Sequence, residues 1–586
     1  MLHLTIEVPT RAGFPLRGLH WAPEPERAAP VVLVVTPYGA DRYHPDGTAF
    51  ASAGFHFVSL DSRGRGDSEG RFHPFVHDGD DGYDAVQWLA AQEWCSGEVV
   101  TYGGSYSGFV QWATAATRPP GLRAIAPVAS VYPGVDFPMA HNIPTSYAAR
   151  WLAFVEGRRM NNGPFDDAEL WASAGSDLIG SGRPFRDLDV TTVGKRLPAF
   201  QEWLDHPSLD EYWARLTPSR HQYEQITLPV LTITGQYDDD QLGALTYHER
   251  HTEAASAEVA ARHLLVVGPW DHGGTRSAAR SFGGLTFAES SAIDLRALHV
   301  AWYRWVLGLG GRPDFLRERV TYFHVGEDRW HGAAHLPRAD RELRFHPMAD
   351  AISTGRADRR LDVKPAAVDQ FVSLFLDPGA AGGPERDEPS DDRTFTDDRP
   401  LTGVDPGTAV HVSEPLTESL DLSGRPHATL TLSSELPDFD LLLGIYLLPG
   451  DGTPRLLGER AVRARYHADL HRPEPWPPGR AVPVELNGFP FVSLRVGPGD
   501  RFALVIRPPH RRWQPNHQAG GPTADETSRD AVGGVVRLHQ GPAHSFALVL
   551  PVAVSIESVG PGQPQHVLGD VVEDHLLADR SEPQQP

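Results

Sequence analysis

Val99-Val100-Thr101-Tyr102-Gly103-Gly104-Ser105-Tyr106-Ser107-Gly108 is the stretch whose reading decides the fold. An apolar β run meets a glycine-rich turn, and a helical pattern begins near Phe109, which is the setting of a nucleophile elbow. Such a turn holds its serine in strained backbone geometry, so the neighbours must be small. The N-terminus of the helix that follows favours negative charge developing beside it. The second glycine of G-x-S-x-G falls one place late, at Gly108, with Ser107 in the usual position. Taken alone, the stretch also reads as an ordinary glycine turn, and its partners must decide.

A serine hydroxyl is a poor nucleophile at neutral pH and needs a base, normally a histidine whose tautomer a carboxylate fixes. In sheets entered by such an elbow the chain order is Ser, acid, His, with acid and base on loops after late strands. The apolar run Leu228 to Thr234 ends in Gly235-Gln236-Tyr237-Asp238. The next run, His263 to Val267, ends in Gly268-Pro269-Trp270-Asp271-His272-Gly273-Gly274. Among 28 histidines, one after a strand is unremarkable, but an acid and a histidine after two successive late strands is not. Asp238 is the expected acid, with Asp239 and Asp240 as competitors, and His272 the expected base.

Outward from these sites, the chain divides by pattern. Runs at Val31 to Val35, Phe55 to Leu60, Val99 to Tyr102 and Ala124 to Val128 alternate with helical stretches, as βαβ units in a mainly parallel sheet do. Residues 1–133 are the first part of that sheet and 223–314 the second. Between them, 134–222 lose the strand pattern and carry Trp151, Phe154, Trp171, Trp203, Tyr212 and Trp213, which predicts an inserted helical cap. From 315 to 586 short alternating strands at Ala428 to Leu432, Leu441 to Leu447, Phe502 to Ile506 and Phe546 to Val552 predict an all-β jelly-roll domain. Asp377 to Pro400, rich in Asp, Pro and Gly, reads as a surface loop. The fold class is therefore α/β: an α/β-hydrolase sheet with a helical cap and a C-terminal β domain.

A formal charge of −23 over 586 residues disfavours a nucleic-acid surface, which needs clustered Lys and Arg. Cys95 is the only cysteine, which excludes internal disulfides and CxxC sites, and it reads as packing at the end of a helix from Tyr83 to Trp94. The first residues lack the features of a secretory signal, and no apolar run reaches the roughly 18 residues a membrane span needs, so no membrane partner and a cytoplasmic setting are expected. His248-Glu249-Arg250-His251 has its histidines three apart rather than the four of HExxH, and reads as a solvated helix face rather than a metal site. Asp61 to Gly70 lacks the Walker lysine and reads as a structural loop with an Arg63 salt bridge, and Asp78 to Gly82 as the acidic first turn of a helix. No cofactor or metal is expected, and oligomeric state is left open.

Thr36-Pro37-Tyr38-Gly39, Asp61 to Gly70, Glu93-Trp94-Cys95, Gly103 to Gly108, Gln236-Tyr237-Asp238 and Gly268 to His272 stand in an order that resembles the cocaine esterase and X-prolyl dipeptidyl peptidase family of serine hydrolases, the CocE/NonD type, which also holds the α-amino acid ester hydrolases. Asp438-Phe439-Asp440 is similar to the family's jelly-roll domain, so the resemblance covers nearly the whole chain. It implies Ser105 as nucleophile, Asp238 as orienting acid and His272 as base, with an oxyanion hole from the Tyr38 hydroxyl and the Tyr106 backbone N–H. It implies further that acids after the catalytic aspartate, here Asp239 and Asp240, meet a substrate ammonium, although this loop is shorter. Trp151 and Trp270 are expected to shape an apolar substrate pocket. The expected activity is cleavage of a small ester or amide through an acyl-enzyme. The alternatives are an X-Pro dipeptidyl aminopeptidase and, from another class, a non-catalytic carbohydrate-binding protein.

Overall fold

The computed structural model describes residues 2–553 apart from 25–26, 352–357, 379–394, 403–404, 406 and 451. Most of the loop expected between Asp377 and Pro400 thus lies outside the described residues. A ten-stranded sheet organises the first half, in the order Leu2–Val8, Leu16–Ala22, His56–Asp61, Ala29–Thr36, Cys95–Thr101, Leu122–Ile125, Val230–Tyr237, His263–Asp271, Val320–His324, Arg329–Ala333. Its centre is parallel, from His56–Asp61 through to Val320–His324. Ala29–Thr36 and His56–Asp61 are buried at every residue, which is why they read as continuous apolar runs.

Four sequence expectations change. The sheet opens with an antiparallel pair, Leu2–Val8 on Leu16–Ala22, that the βαβ pattern did not announce. It also runs past residue 314: Val320–His324 pairs in parallel with Leu265–Val267, so the change of sheet comes after Ala333. Cys95 opens a strand instead of closing a helix; the helix Asp78–Ala90 ends earlier and the Cys95 thiol is buried near the Glu98 carbonyl. His248 and His251 are not on a solvated face. Helix Gln241–Ala254 turns both into the sheet, where His251 Nδ1 and His263 Nδ1 lie 2.9 Å apart, because a single polar helix surface cannot be told from a polar-lined core contact by spacing alone.

Helices from Ser146–Phe154 to Arg220–Gln225 occupy the stretch expected as a cap, and the first of them brings Trp151 to Tyr38, just past the carboxyl end of Ala29–Thr36. The C-terminal domain is two mainly antiparallel sheets, with one parallel pair between Arg359–Asp362 and Ala409–Ser413; they share the long strand Arg341–Ala351, which pairs with Ala547–Ala553 along its first half and Arg359–Asp362 along its second. Leu430, Leu432, Leu441, Leu443, Phe502, Leu504 and Leu548 fill the space between them, giving the expected jelly-roll-like sandwich. The segment His510–Gln514 leaves this domain to join the cap: Ser146 N–H donates to the Arg512 carbonyl at 2.7 Å and Gln514 N–H to the Pro144 carbonyl at 2.8 Å. Among the described residues no helix is long and apolar enough to cross a membrane.

Candidate active site

Ser105 has φ 60° and ψ −124°, a strained conformation for a residue with a side chain, at the junction of strand Cys95–Thr101 and helix Tyr106–Thr117. Its N–H donates to the Val128 carbonyl at 2.9 Å. The late glycine now has a reason: a Cβ on Gly108 would come within 2.4 Å of Ser130 Oγ and 2.9 Å of the Val128 carbonyl, so the helix can lie against the neighbouring strand end only with glycine there. Gln111, buried on the same helix, pins the turn from below. Its amide donates to the Gly103 and Ala126 carbonyls at 2.8 and 3.1 Å and accepts from Thr101 Oγ1 at 2.9 Å.

Asp238 ends the strand Val230–Tyr237 with its carboxylate fully buried. Oδ1 lies 2.8 Å from His272 Nδ1, and Oδ2 accepts from Thr234 Oγ1 at 2.7 Å. Burial alone would raise the Asp238 pKa, but the hydrogen bond and charge of His272, with Thr234 and the Asp240 N–H, hold it below its ordinary value. For His272, burial and the Arg276 cation push downward, while Asp240 and the hydrogen-bonded Asp238 outweigh them and leave the imidazole more basic than usual. The acid loop is stitched to the C-terminal domain. Gln236 Oε1 accepts from Ser493 N–H at 2.8 Å, and buried Gln241 accepts from Phe491 N–H at 2.7 Å while donating to the Gly235 carbonyl at 2.9 Å.

Tyr38 follows the strand Ala29–Thr36, and the loop Asp61 to Gly70 holds it in place. Asp61 accepts from the Ala40 N–H at 2.8 Å, and the fully buried Arg65 donates to the Pro37 carbonyl at 2.9 Å and to the Gly157 carbonyl. The expected Arg63 salt bridge is made with Asp81, Nε to Oδ2 at 3.0 Å. The phenol oxygen accepts from Trp151 Nε1–H at 3.0 Å and interacts with Ser105. Burial pushes the phenol up to about 12 against the pull of those two partners, so it stays protonated and able to donate.

Ser105, Asp238, His272, Tyr38, Tyr106, Asp239, Asp240 and Trp151 all line one cavity of about 310 Å³. Asp239 is exposed on its wall, whereas Asp240 turns inward, with Oδ2 3.6 Å from His272 Nδ1. Trp151 lies against the Tyr106 ring at 5.5 Å. Trp270 is a correction: strand alternation sends its side chain to the opposite face, where it is buried against Trp330 with its N–H on the Ser291 carbonyl, away from the cavity. Sequence reasoning also missed a whole wall. Tyr446, Glu459, Arg507, His510, Arg512 and Trp513 reach the cavity from the C-terminal domain. No local signal marks them: Tyr446, Glu459 and Arg507 stand on strands of the C-terminal domain, and contacts such as the antiparallel bridge of Thr145 with Trp513 bring the segment 510–513 across.

The X-Pro dipeptidyl-peptidase (S15) family matches residues 13–274, and the X-Pro dipeptidyl-peptidase C-terminal non-catalytic domain matches residues 326–548. The two matches together make the chain similar along most of its length to the X-Pro dipeptidyl-peptidase and cocaine esterase family of serine hydrolases. Cocaine esterase of Rhodococcus sp. (strain MB1 Bresler) is 27% identical over 579 residues, covering 93% of this chain and 98% of that one. The fold matches that of an aminopeptidase from the marine sediment archaeon Thaumarchaeota archaeon, with a TM-score of 0.81 at 22% identity over 94% of this chain and 96% of the other. It matches an α-amino acid ester hydrolase with a TM-score of 0.80 at 20% identity over 94% and 97%. In this serine hydrolase family the expected site residues fall within the S15 match, and the missed cavity wall falls within the C-terminal one.

Proposed function

We propose that this serine hydrolase cleaves the ester or amide bond of a small molecule or short peptide through an acyl-enzyme on Ser105. The observation that carries the reading is a serine at a strained elbow sharing one cavity with a histidine that is hydrogen-bonded at 2.8 Å to a buried aspartate. His272 takes the Ser105 proton as Oγ attacks the carbonyl carbon. The resulting oxyanion is met by the Tyr38 O–H and the Tyr106 N–H. On collapse, His272 passes that proton to the departing alkoxide or amine. A water molecule, deprotonated by the same imidazole, then attacks the acyl carbon, and Ser105 recovers its proton. A fluorophosphonate should label the wild-type chain once, at Ser105, with no labelling of Ser105→Ala and no hydrolysis of aryl esters by that variant. Equal hydrolysis by both would end the proposal, and failure of the wild type to react at all would return the non-catalytic carbohydrate-binding reading.

A second reading, release of X-Pro dipeptides, is favoured by one feature: the exposed carboxylate of Asp239 on the cavity wall can face a substrate ammonium. It predicts that Gly-Pro-anilide is cleaved and that Asp239→Asn weakens binding of free-amine substrates while sparing their N-acylated analogues. The family includes relatives of both kinds.

A further inference from the structure

His272 has two charged neighbours besides Asp238. Asp240 Oδ2 stands 3.6 Å from Nδ1, its carboxylate mostly buried and its own N–H donated to Asp238 Oδ1 at 3.0 Å. The second is Arg276, which reaches the backbone carbonyl of His272. The turn after His272 folds back on itself, with Gly274 N–H on Asp271 Oδ1 at 2.7 Å and Thr275 Oγ1–H on the His272 carbonyl at 2.7 Å, and so returns Arg276 to the same carbonyl, Nη2 to O at 3.2 Å. The arginine lies over the residue before the nucleophile: a Cβ on Gly104 would come 3.2 Å from Arg276 Cδ and 3.3 Å from Nη1. Gly104 therefore leaves room for this guanidinium as well as for the sharp turn.

We infer that Asp240 and Arg276 are positioning residues that set, in opposite directions, the pH at which His272 becomes a free base. The inference rests on the reading of His272 as the base acting on Ser105. A carboxylate near Nδ1 stabilises the imidazolium that forms as Ser105 is deprotonated, and a guanidinium beside the same residue opposes it. The charged groups facing the imidazole are Asp238, Asp240 and Arg276. Asp240 in turn is faced by His272, Asp136, Asp238 and Asp239; burial and those three acids raise its own pKa well above the ordinary carboxylate range, and His272 pulls it back down. Arg276 also bears on Tyr38 and so lies within the field of the whole site.

The test uses the full chain and a neutral aryl ester, 4-nitrophenyl butyrate, with kcat/KM measured across pH for wild type, Asp240→Asn, Arg276→Gln, the double variant and Arg276→Lys. Each rate is expressed as a fraction of that variant's own high-pH plateau. On the acid limb Asp240→Asn should retain about threefold more of its plateau than wild type and Arg276→Gln about threefold less. The double variant should fall between them, and Arg276→Lys should return to wild type. A merely structural role would lower the plateau without moving the limb. Where a variant folds poorly, the pH dependence of fluorophosphonate inactivation of its folded fraction gives the same comparison. Shifts of the same sign in both single variants, or no shift in either, overturn the inference while leaving a labelled, active Ser105 intact. A wild type that neither turns over nor labels overturns the proposed function and the inference together.

Discussion

Trp151 donates its indole N–H to the phenol oxygen of Tyr38 at 3.0 Å. With that lone pair engaged, the phenol proton is directed elsewhere, and Ser105 is the neighbour that interacts with it. Tyr38→Phe should lower kcat by about 10² to 10³, the scale for losing one oxyanion donor. Trp151→Phe keeps an aromatic ring against Tyr106 but deletes the orienting donor, and should cost about tenfold in kcat. In the Tyr38→Phe background the same change should cost little more, which a double-mutant cycle on ester hydrolysis would show.

Asp238→Asn replaces an acceptor with an amide that can donate to Nδ1 and favour the wrong tautomer of His272. A loss in kcat of about 10⁴ is expected with the fold intact by circular dichroism. In the wild type, kcat/KM should fall as acid protonates His272. The midpoint should lie above that of an ordinary histidine, because Asp240 and Asp238 outweigh burial and Arg276. A midpoint below the ordinary value would contradict that balance.

Gln241 holds the acid loop to the C-terminal domain from a fully buried position. Gln241→Leu leaves the Phe491 N–H and the Gly235 carbonyl without this partner and should cost about 1–3 kcal/mol per stranded group in denaturant unfolding. Since Gly235 lies three residues before Asp238, kcat should fall as well, more than KM rises.

At Gly66 the backbone has φ +48°, and a Cβ would meet the Asp61 carboxylate at 2.0 Å. Gly66→Ala should displace Asp61 from the Ala40 N–H and loosen the turn that presents Tyr38. The expected result is a Tm lower by several degrees together with a fall in kcat. A variant that loses Tm but keeps full kcat would show that Tyr38 is held by Trp151 and Arg65 alone.

The elbow, the acid and the histidine were legible because each follows a buried strand whose apolar run announces where the loop begins; the runs Val99 to Tyr102, Leu228 to Thr234 and His263 to Val267 fall on the strands Cys95–Thr101, Val230–Tyr237 and His263–Asp271, differing from them by a few residues at the ends. Trp270 misled because its neighbour His272 lies beyond the strand end, whereas Trp270 still obeys the pleat and points into the core. Trp151 was legible as a lining ring but not as a donor, since its partner is over a hundred positions earlier. Arg276 carried no signal at all: its closeness to Gly104 is a product of two turns meeting. The cavity wall from Glu459 to Trp513 was hidden for the same reason, because contacts between remote segments leave no period in either of them.

A cavity completed by residues 507–513 of a 586-residue chain has a consequence for biosynthesis. The elbow, the acid and the histidine leave the ribosome long before that last wall does. The nascent polypeptide therefore carries its reactive groups in an open, half-built enclosure from the synthesis of His272 until the far end of the polypeptide folds back to close it.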